Sequence, residues 1–244
     1  MPSSPIRVGT AAWGIASRYL SEIPTGGSHL ERYARVFSIV EIDTSFYRHH
    51  RVATYERWAH SVGDDFRFAV KTPKALTHEG ALIGKGEVLD RFLSEVAGLG
   101  RKLGVLLVQL SPSLAFDAAN FRAFFKTLRS SMVPAVALAC EPRHASWSCK
   151  AANALLEELQ VSRVAVDPPR WDEDAKPGGD RRLAYFRMHG APRIYYSDYD
   201  PERIAALKRT LERTARESPS VWCIFDNTAH GHAIGNALSL QRSL

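Results

Sequence analysis

Taken by where its apolar and polar side chains fall, the chain divides into short runs of period two separated by longer stretches of helical period. The runs cover residues 6–10, 39–43, 66–71, 105–110, 135–141, 163–167, 183–189 and 221–226. Each has strand length. The intervening stretches carry helix punctuation: Ser28 with Glu31 three residues on forms a capping box opening a helix over 28–37, Asp117 can cap 117–129, and Asp200 followed by Pro201 starts another. Further helices are expected over 54–60, 88–101, 150–160 and from about Gly231. Two connections break the rhythm. Residues 72–86 form a long link of the kind that is usually functional or mobile, and 168–180 is rich in Pro, Gly and Asp where a helix should follow the sixth run.

Eight strand and helix units, without a repeat of two halves, predict an α/β fold of the closed (βα)8 TIM-barrel type, as one domain over 1–244. No GxGxxG follows the first run, which argues against a dinucleotide-binding sheet.

Parity then locates the polar groups. Val40 and Ile42 alternate with Glu41 and Asp43; Phe66, Phe68 and Val70 with Arg67, Ala69 and Lys71; Val164 and Val166 with Arg163 and Asp167; Phe186 and Met188 with Tyr185, Arg187 and His189. If the apolar faces meet the helices, the charged faces point to the axis. Glu41, Arg67, Arg163 and Arg187 are then expected inside, as an ion-pair network, because an unpaired buried charge costs several kcal/mol. Asp43, Lys71, Glu141, Asp167 and His189 fall nearer the carboxyl rim, where barrels of this architecture keep their active sites.

Composition excludes more than it selects. The 244 residues are 45% hydrophobic and 24% charged, with no apolar run of membrane-spanning length. The start, Met1 to Pro5, lacks a signal-peptide pattern, so the expectation is a cytoplasmic protein without a membrane partner. Three cysteines, Cys140, Cys149 and Cys223, form no CxxC pair and suggest neither a disulfide framework nor a thiolate metal site. The net charge of +6 is spread evenly along the chain, so charge alone names no partner.

The stretch Cys140-Glu141-Pro142-Arg143-His144-Ala145-Ser146-Trp147 packs a carboxylate, a guanidinium, an imidazole and an indole behind a strand end. With it go Val40 to Tyr47, Phe68 to Lys71 with Thr77-His78, Leu103 to Leu110 including Gln109, Tyr185 to Gly190, and Phe225-Asp226-Asn227-Thr228-Ala229. In these six stretches and their order the chain resembles the YecE-like family of uncharacterised proteins, a domain of unknown function. That resemblance implies a TIM barrel and a site drawn from these stretches, but no reaction. The family's Gly-Thr-Ser-Gly-Trp turn is matched here by Gly9-Thr10-Ala11-Ala12-Trp13, and Asp226 stands where Asn is usual.

Candidate roles follow from chemistry. Glu141 and His189 are the expected general base and acid, with Asp43 beside them. Lys71 could form a Schiff base, but a pair with Glu141 or Asp43 is the preferred role. His78, Glu141, His144, His189, Asp43 and Asp226 are metal-ligand types without diagnostic spacing, so no metal set is assigned; the cofactor is unknown, with a divalent metal the minor alternative. Asn227-Thr228-Ala229-His230-Gly231 joins the last strand to the last helix, where backbone N–H groups often hold phosphate, and Arg143, Arg187, Arg193 and Lys71 add positive charge at the same mouth. Trp13, Phe46, Tyr47, Trp147, Tyr195, Tyr196 and Tyr199 could stack on bases or sugars. Gln109 and Asp167 complete the expected ligand-binding set. The expectation is an enzyme acting on a phosphorylated or nucleic-acid-derived anion by hydrolysis or acid-base chemistry. The alternative is a non-catalytic binder of nucleic acid or another polyanion. Oligomeric state is open.

Overall fold

The computed structural model describes residues 6–79, 82, 86–132 and 135–244. Met1 to Pro5, where a signal peptide was sought, lie outside the described residues, as do 80–81 and 83–85 of the long 72–86 connection.

The strands are β1 (Ile6–Thr10), β2 (Ile39–Ile42), β3 (Arg67–Lys71), β4 (Leu103–Gln109), β5 (Ala137–Glu141), β6 (Val161–Arg163), β7 (Ala165–Asp167), β8 (Gly178–Gly179), β9 (Ala184–Met188) and β10 (Val221–Phe225). Parallel ladders run β2-β3-β4-β5-β6 and β7-β9-β10-β1. Two seams close the ring. At one, Ala11 bridges Glu41 and the Ala12 N–H donates to the Glu41 carbonyl at 2.8 Å; at the other, the chain itself passes from β6 to β7 through Val164, whose N–H donates to the Cys140 carbonyl at 2.8 Å. The result is a (βα)8 barrel whose sixth stave is split. β8 adds a short antiparallel edge to β6.

The helices are α1 (His29–Ala34), α2 (Val52–His60), α3 (Lys74–Thr77), α4 (Gly86–Val96), α5 (Ala118–Ser130), α6 (Lys150–Glu158), α7 (Pro201–Thr214) and α8 (His232–Ser243). The expected caps are present: Ser28 and Glu31 complete the capping box, Asp117 accepts from Ala119 and Asn120, and Asp200 accepts from Arg203. The helix expected over 88–101 stops at Val96. Gly98 lies where a Cβ would meet the Val52 carbonyl at 2.7 Å, and Gly100 adopts φ +53, a backbone region that favours glycine and ends the α-helix. No α-helix follows the split stave; residues 168–180 instead form a 3-10 turn over Asp172–Ala175 and then β8. No helix among the described residues is long and apolar enough to cross a membrane.

Two apolar cores result. Outward residues such as Val40, Phe68, Leu106, Leu138, Phe186 and Phe225 pack under Leu30, Phe92, Phe121, Leu155 and Leu211 of the helices. Inside the barrel, Ile39, Ala69, Val105, Leu107, Ala139, Val164, Val166, Tyr185, Trp222 and Ile224 fill the lower layers. Each large side chain so buried contributes about 1.5–3 kcal/mol. The polar layer sits above this plug.

The parity expectation holds for the second, third and seventh staves and fails for the sixth. There Val164 and Val166 point inward and Arg163 faces outward, away from the interior network in which it was expected. Glycines at β8 make the outward position available: a Cβ on Gly178 would fall 2.7 Å from Arg163 Nε. Arg67 also leaves the expected network. Its guanidinium bonds to the Asp64 and Phe66 carbonyls at 2.6 and 2.9 Å, at the amino end of its strand.

Candidate functional site

At the carboxyl end of the barrel, alternate inward positions of five staves converge on one guanidinium. Arg187, two residues above the interior Tyr185, is fully buried and makes five side-chain hydrogen bonds: two to Glu41 (3.2 and 2.7 Å), and one each to Glu141 (2.6 Å), Gln109 (3.1 Å) and Asp226 (2.9 Å). Tyr185 Oη donates to Glu41 from below at 2.8 Å. Three carboxylates around one cation leave an excess of negative charge. It is offset above: Glu141 Oε1 also accepts from Arg143 Nε at 2.9 Å and Arg170 at 3.2 Å, and Arg143 reaches on to Gln109 at 2.9 Å.

His189 completes the layer. Its Nδ1 lies 3.0 Å from Asp226 Oδ2, which fixes the proton on Nδ1, and its Nε2 is enclosed, has no hydrogen-bond partner, and faces Glu141 Oε1 at 3.6 Å. Burial alone would lower the imidazole pKa, but Glu141 and Asp226 outweigh it and raise it above 6.5. Burial would likewise raise the Glu141 and Asp226 carboxyls; Arg187 with Arg143 and His189 holds Glu141 well below the usual range, and Arg187 with His189 holds Asp226 low. Glu41, deepest of the three, is raised by burial that Arg187 only partly offsets. Glu141 is thus a fully ionised anchor shared by three arginines, a poor proton acceptor. His189 is the group with a titrating atom to spare.

Lys71 pairs with Asp43 at 2.8 Å and lies 4.2 Å from the Phe46 ring centroid, against whose edge His78 packs at 5.0 Å. His78 is lowered by burial and by Arg143 and Lys71, so it stays neutral beside them. Tyr195, in the left-handed region at φ 70, packs edge-on to His189 at 5.7 Å and influences Arg143 through its phenol.

Other expected site residues are put to different use. Asp167 turns to Arg203 of α7 at 3.2 Å, and Tyr199 is buried, accepting from the Gly190 N–H and donating to the Asp167 carbonyl. Trp147 is buried between Phe116 and Phe121, and His144 accepts from the Ser146 N–H to cap its own 3-10 turn. Trp13 packs edge-on to Trp58 of α2, while Tyr47 is 74% exposed at the rim. Asn227 is buried, tying the Ser197 carbonyl to Asn236 of α8; Thr228 is exposed. The expected phosphate cradle has few donors left, since the N–H groups of Ala229, Gly231 and Ala233 are taken by the carbonyls of Tyr195, Thr228 and Asn227. Among the described residues no three His, Cys, Asp or Glu side chains are grouped to hold a metal ion.

Arg170 and Asp174 were not anticipated. Arg170 also bonds Asp174 at 3.0 Å, and burial pushes the Asp174 carboxyl up to about 6. Their only sequence signal is the four-residue spacing inside the irregular 168–180 connection.

Comparison with known proteins agrees with this architecture. The family described as "Protein of unknown function DUF72" matches residues 7–244. The curated "UPF0759 protein YecE" of Escherichia coli (strain K12) is 29% identical over 147 residues, 58% of this chain and 53% of that protein, so the matched stretch spans about half the length of that relative. A crystal structure of a DUF72 family protein from Enterococcus faecalis V583 superposes with a TM-score of 0.79 at 27% identity, covering 98% of this chain and 96% of the other. A glycoside hydrolase family 5 enzyme from Prevotella bryantii B14 shares the fold alone, with a TM-score of 0.51 at 13% identity over 97% and 95% of the chains.

Proposed function

The chain belongs to the DUF72 family of proteins of unknown function, and from the geometry at the mouth of its barrel we propose an enzyme that acts on a phosphorylated or nucleic-acid-derived anion, with His189 as general acid and Arg143 as the anion contact. The observation that carries the reading is the chain Asp226, His189, Glu141: one ring nitrogen held at 3.0 Å, the other enclosed, 3.6 Å from Glu141 Oε1 and without a hydrogen bond. A buried ring nitrogen that makes no hydrogen bond is costly to keep without use. Glu141 and Asp226 favour the protonated ring, whose Nε2 proton can pass to the oxygen of a leaving group as water attacks phosphorus. Asp226 then holds the neutral ring in place for the return of the proton.

Glu141 takes an organising role in this scheme. It gathers Arg143, Arg170 and Arg187 on its two oxygens, so an incoming anion competes with a carboxylate for guanidinium groups already aligned. Tyr47, and Arg193 stacked on Tyr196 with 3.9 Å from guanidinium to ring centroid, extend the rim toward a base or sugar.

The test uses p-nitrophenyl phosphate, its diester and a short single-stranded oligonucleotide, each with and without divalent cations. Hydrolysis of at least one, reduced about a hundredfold or more in His189→Asn, is expected. The rate should fall as pH rises through the His189 pKa, above 6.5, because the acid form is consumed. Binding without turnover, with steep salt dependence and no response to His189→Asn, would overturn this reading in favour of a polyanion-binding protein.

A further inference from the structure

We infer that the flank of the barrel, where the split stave lacks its helix, carries a second binding site, for a phosphate or carboxylate group, centred on Arg163. A cleft of about 990 Å3 opens there between α6, β8 and the end of α7. It shares no residue with the cluster around Arg187 and lies on the opposite face of the barrel wall.

Three features point to an oxyanion. Arg163 lines the cleft, is 8% exposed, and its side chain makes no hydrogen bond or ion pair among the described residues; its Nε is enclosed without an acceptor. The acidic groups nearest Arg163 have other partners: Asp174 pairs with Arg170 at 3.0 Å, and Glu173, which lines the same cleft, accepts from the Ser148 hydroxyl at 2.8 Å. A buried guanidinium is an expensive group to leave unmatched, and its planar fork fits two oxygens of a carboxylate or phosphate.

The second feature is the start of α6. Ser148, Cys149 and Lys150 line the same cleft, and the Cys149 cap position supplies no side-chain acceptor to the first-turn N–H groups, so the positive end of a nine-residue helix faces the space beside Arg163. The third is Asn153, one turn on. Its Oδ1 accepts from the Gly179 N–H at 2.9 Å, which leaves its amide NH2 to donate into the cleft. Gly178 is the residue that lets this assembly form, since a Cβ there would lie 2.4 Å from Asn153 Oδ1 and 2.8 Å from Arg163 Nη2.

The lining also limits the ligand. Five basic and four acidic side chains surround the cleft, a net of +1, which suits one oxyanion group and disfavours a nucleic acid. The volume exceeds that of an ion and leaves room for the body of a phosphorylated or carboxylated metabolite.

Thermal unfolding is measured for the wild type, Arg163→Met and Arg143→Met with inorganic phosphate, with citrate, and with sodium chloride at matched ionic strength. Phosphate or citrate at tenfold its Kd is expected to raise the wild-type midpoint by about 3–5 °C over the chloride control. Arg163→Met should lose the share of that rise owed to the flank cleft, and Arg143→Met, which acts only at the mouth, should keep that share. Whichever anion acts identifies the group recognised. No rise beyond chloride, or the full wild-type rise retained in Arg163→Met, overturns the assignment; a rise lost only in Arg143→Met does so too, by moving the site to the mouth. Should Arg163→Met fail to fold, the Nε–H resonances of 15N-arginine-labelled wild type are followed during phosphate and citrate titration, with Arg163→Lys identifying the peak. An Arg163 resonance that moves with neither anion overturns the proposal equally.

Discussion

Two arginines on neighbouring staves are buried to nearly the same degree and live in opposite circumstances. Arg187 is enclosed by three carboxylates, a glutamine and an aromatic floor, and every direction of its guanidinium is answered by an acceptor. Arg163 lies against Gly178, and among the described residues no side chain pairs with its guanidinium. Burial therefore says little about what a charge does for a fold; the partners decide. The first arginine is woven into the barrel's interior, while the second sits at the edge of a cleft as a cation in search of a counter-ion.

Mutation should separate the two. Arg187→Met leaves Glu41, Glu141 and Asp226 facing one another without a cation, and is expected to cost about 3–5 kcal/mol in chemical unfolding. A loss below about 1 kcal/mol would mean that the network contributes little to stability.

Asp174, near Arg163 but paired to Arg170, gives the pH test. Its folded pKa of about 6 lies above its unfolded value, so its neutral form favours the fold. That contribution is complete below about pH 4 and disappears as pH rises through 6, by about 3 kcal/mol. Asp174→Asn should flatten this part of the stability-versus-pH curve; an unchanged slope would assign the limb to another group.

Tyr185→Phe removes the hydroxyl that closes the Arg187 cluster from below and should cost about 1–2 kcal/mol, in a scan of melting at fixed pH. The smallest effect belongs to the other arginine and carries the reverse sign. Without anion, Arg163→Met should leave stability unchanged or raise it by up to about 1 kcal/mol, because an apolar chain of similar length needs no partner. A loss comparable to that of Arg187→Met would erase the distinction between the two sites.

The site was legible to the extent that it obeys alternation. Glu41, Glu141, Arg187 and His189 sit on or just past strands whose outward alternate positions are apolar, so alternation sends them inward; Asp226 follows a strand apolar on both faces and is singled out by the family resemblance alone. Arg163 defeats the same rule because its neighbours Val164 and Val166 are needed in the interior plug, and a two-faced strand of valines and charges reads identically in either orientation. Arg170 gives no periodic signal at all, lying in an irregular connection whose path is fixed by its contacts with Glu141 and Asp174. Trp147 and Tyr199 look like rim aromatics by position, yet loops curl back and bury them. Ala12 is a smaller case. It takes φ 62 in the turn where the family pattern carries glycine, a strain visible only in the backbone.

The order of strands and helices, the caps that start α1, α5 and α7, and the inward aim of most charges follow from the residues themselves, because period, capping and alternation are local properties. Closure of the ring determines the rest: which carboxylates share one guanidinium, which imidazole nitrogen is left over, and which arginine finds no partner. Those outcomes depend on distances between staves far apart in the chain, and a hydrogen bond that acts over about 3 Å can be assigned only once the barrel has brought them together.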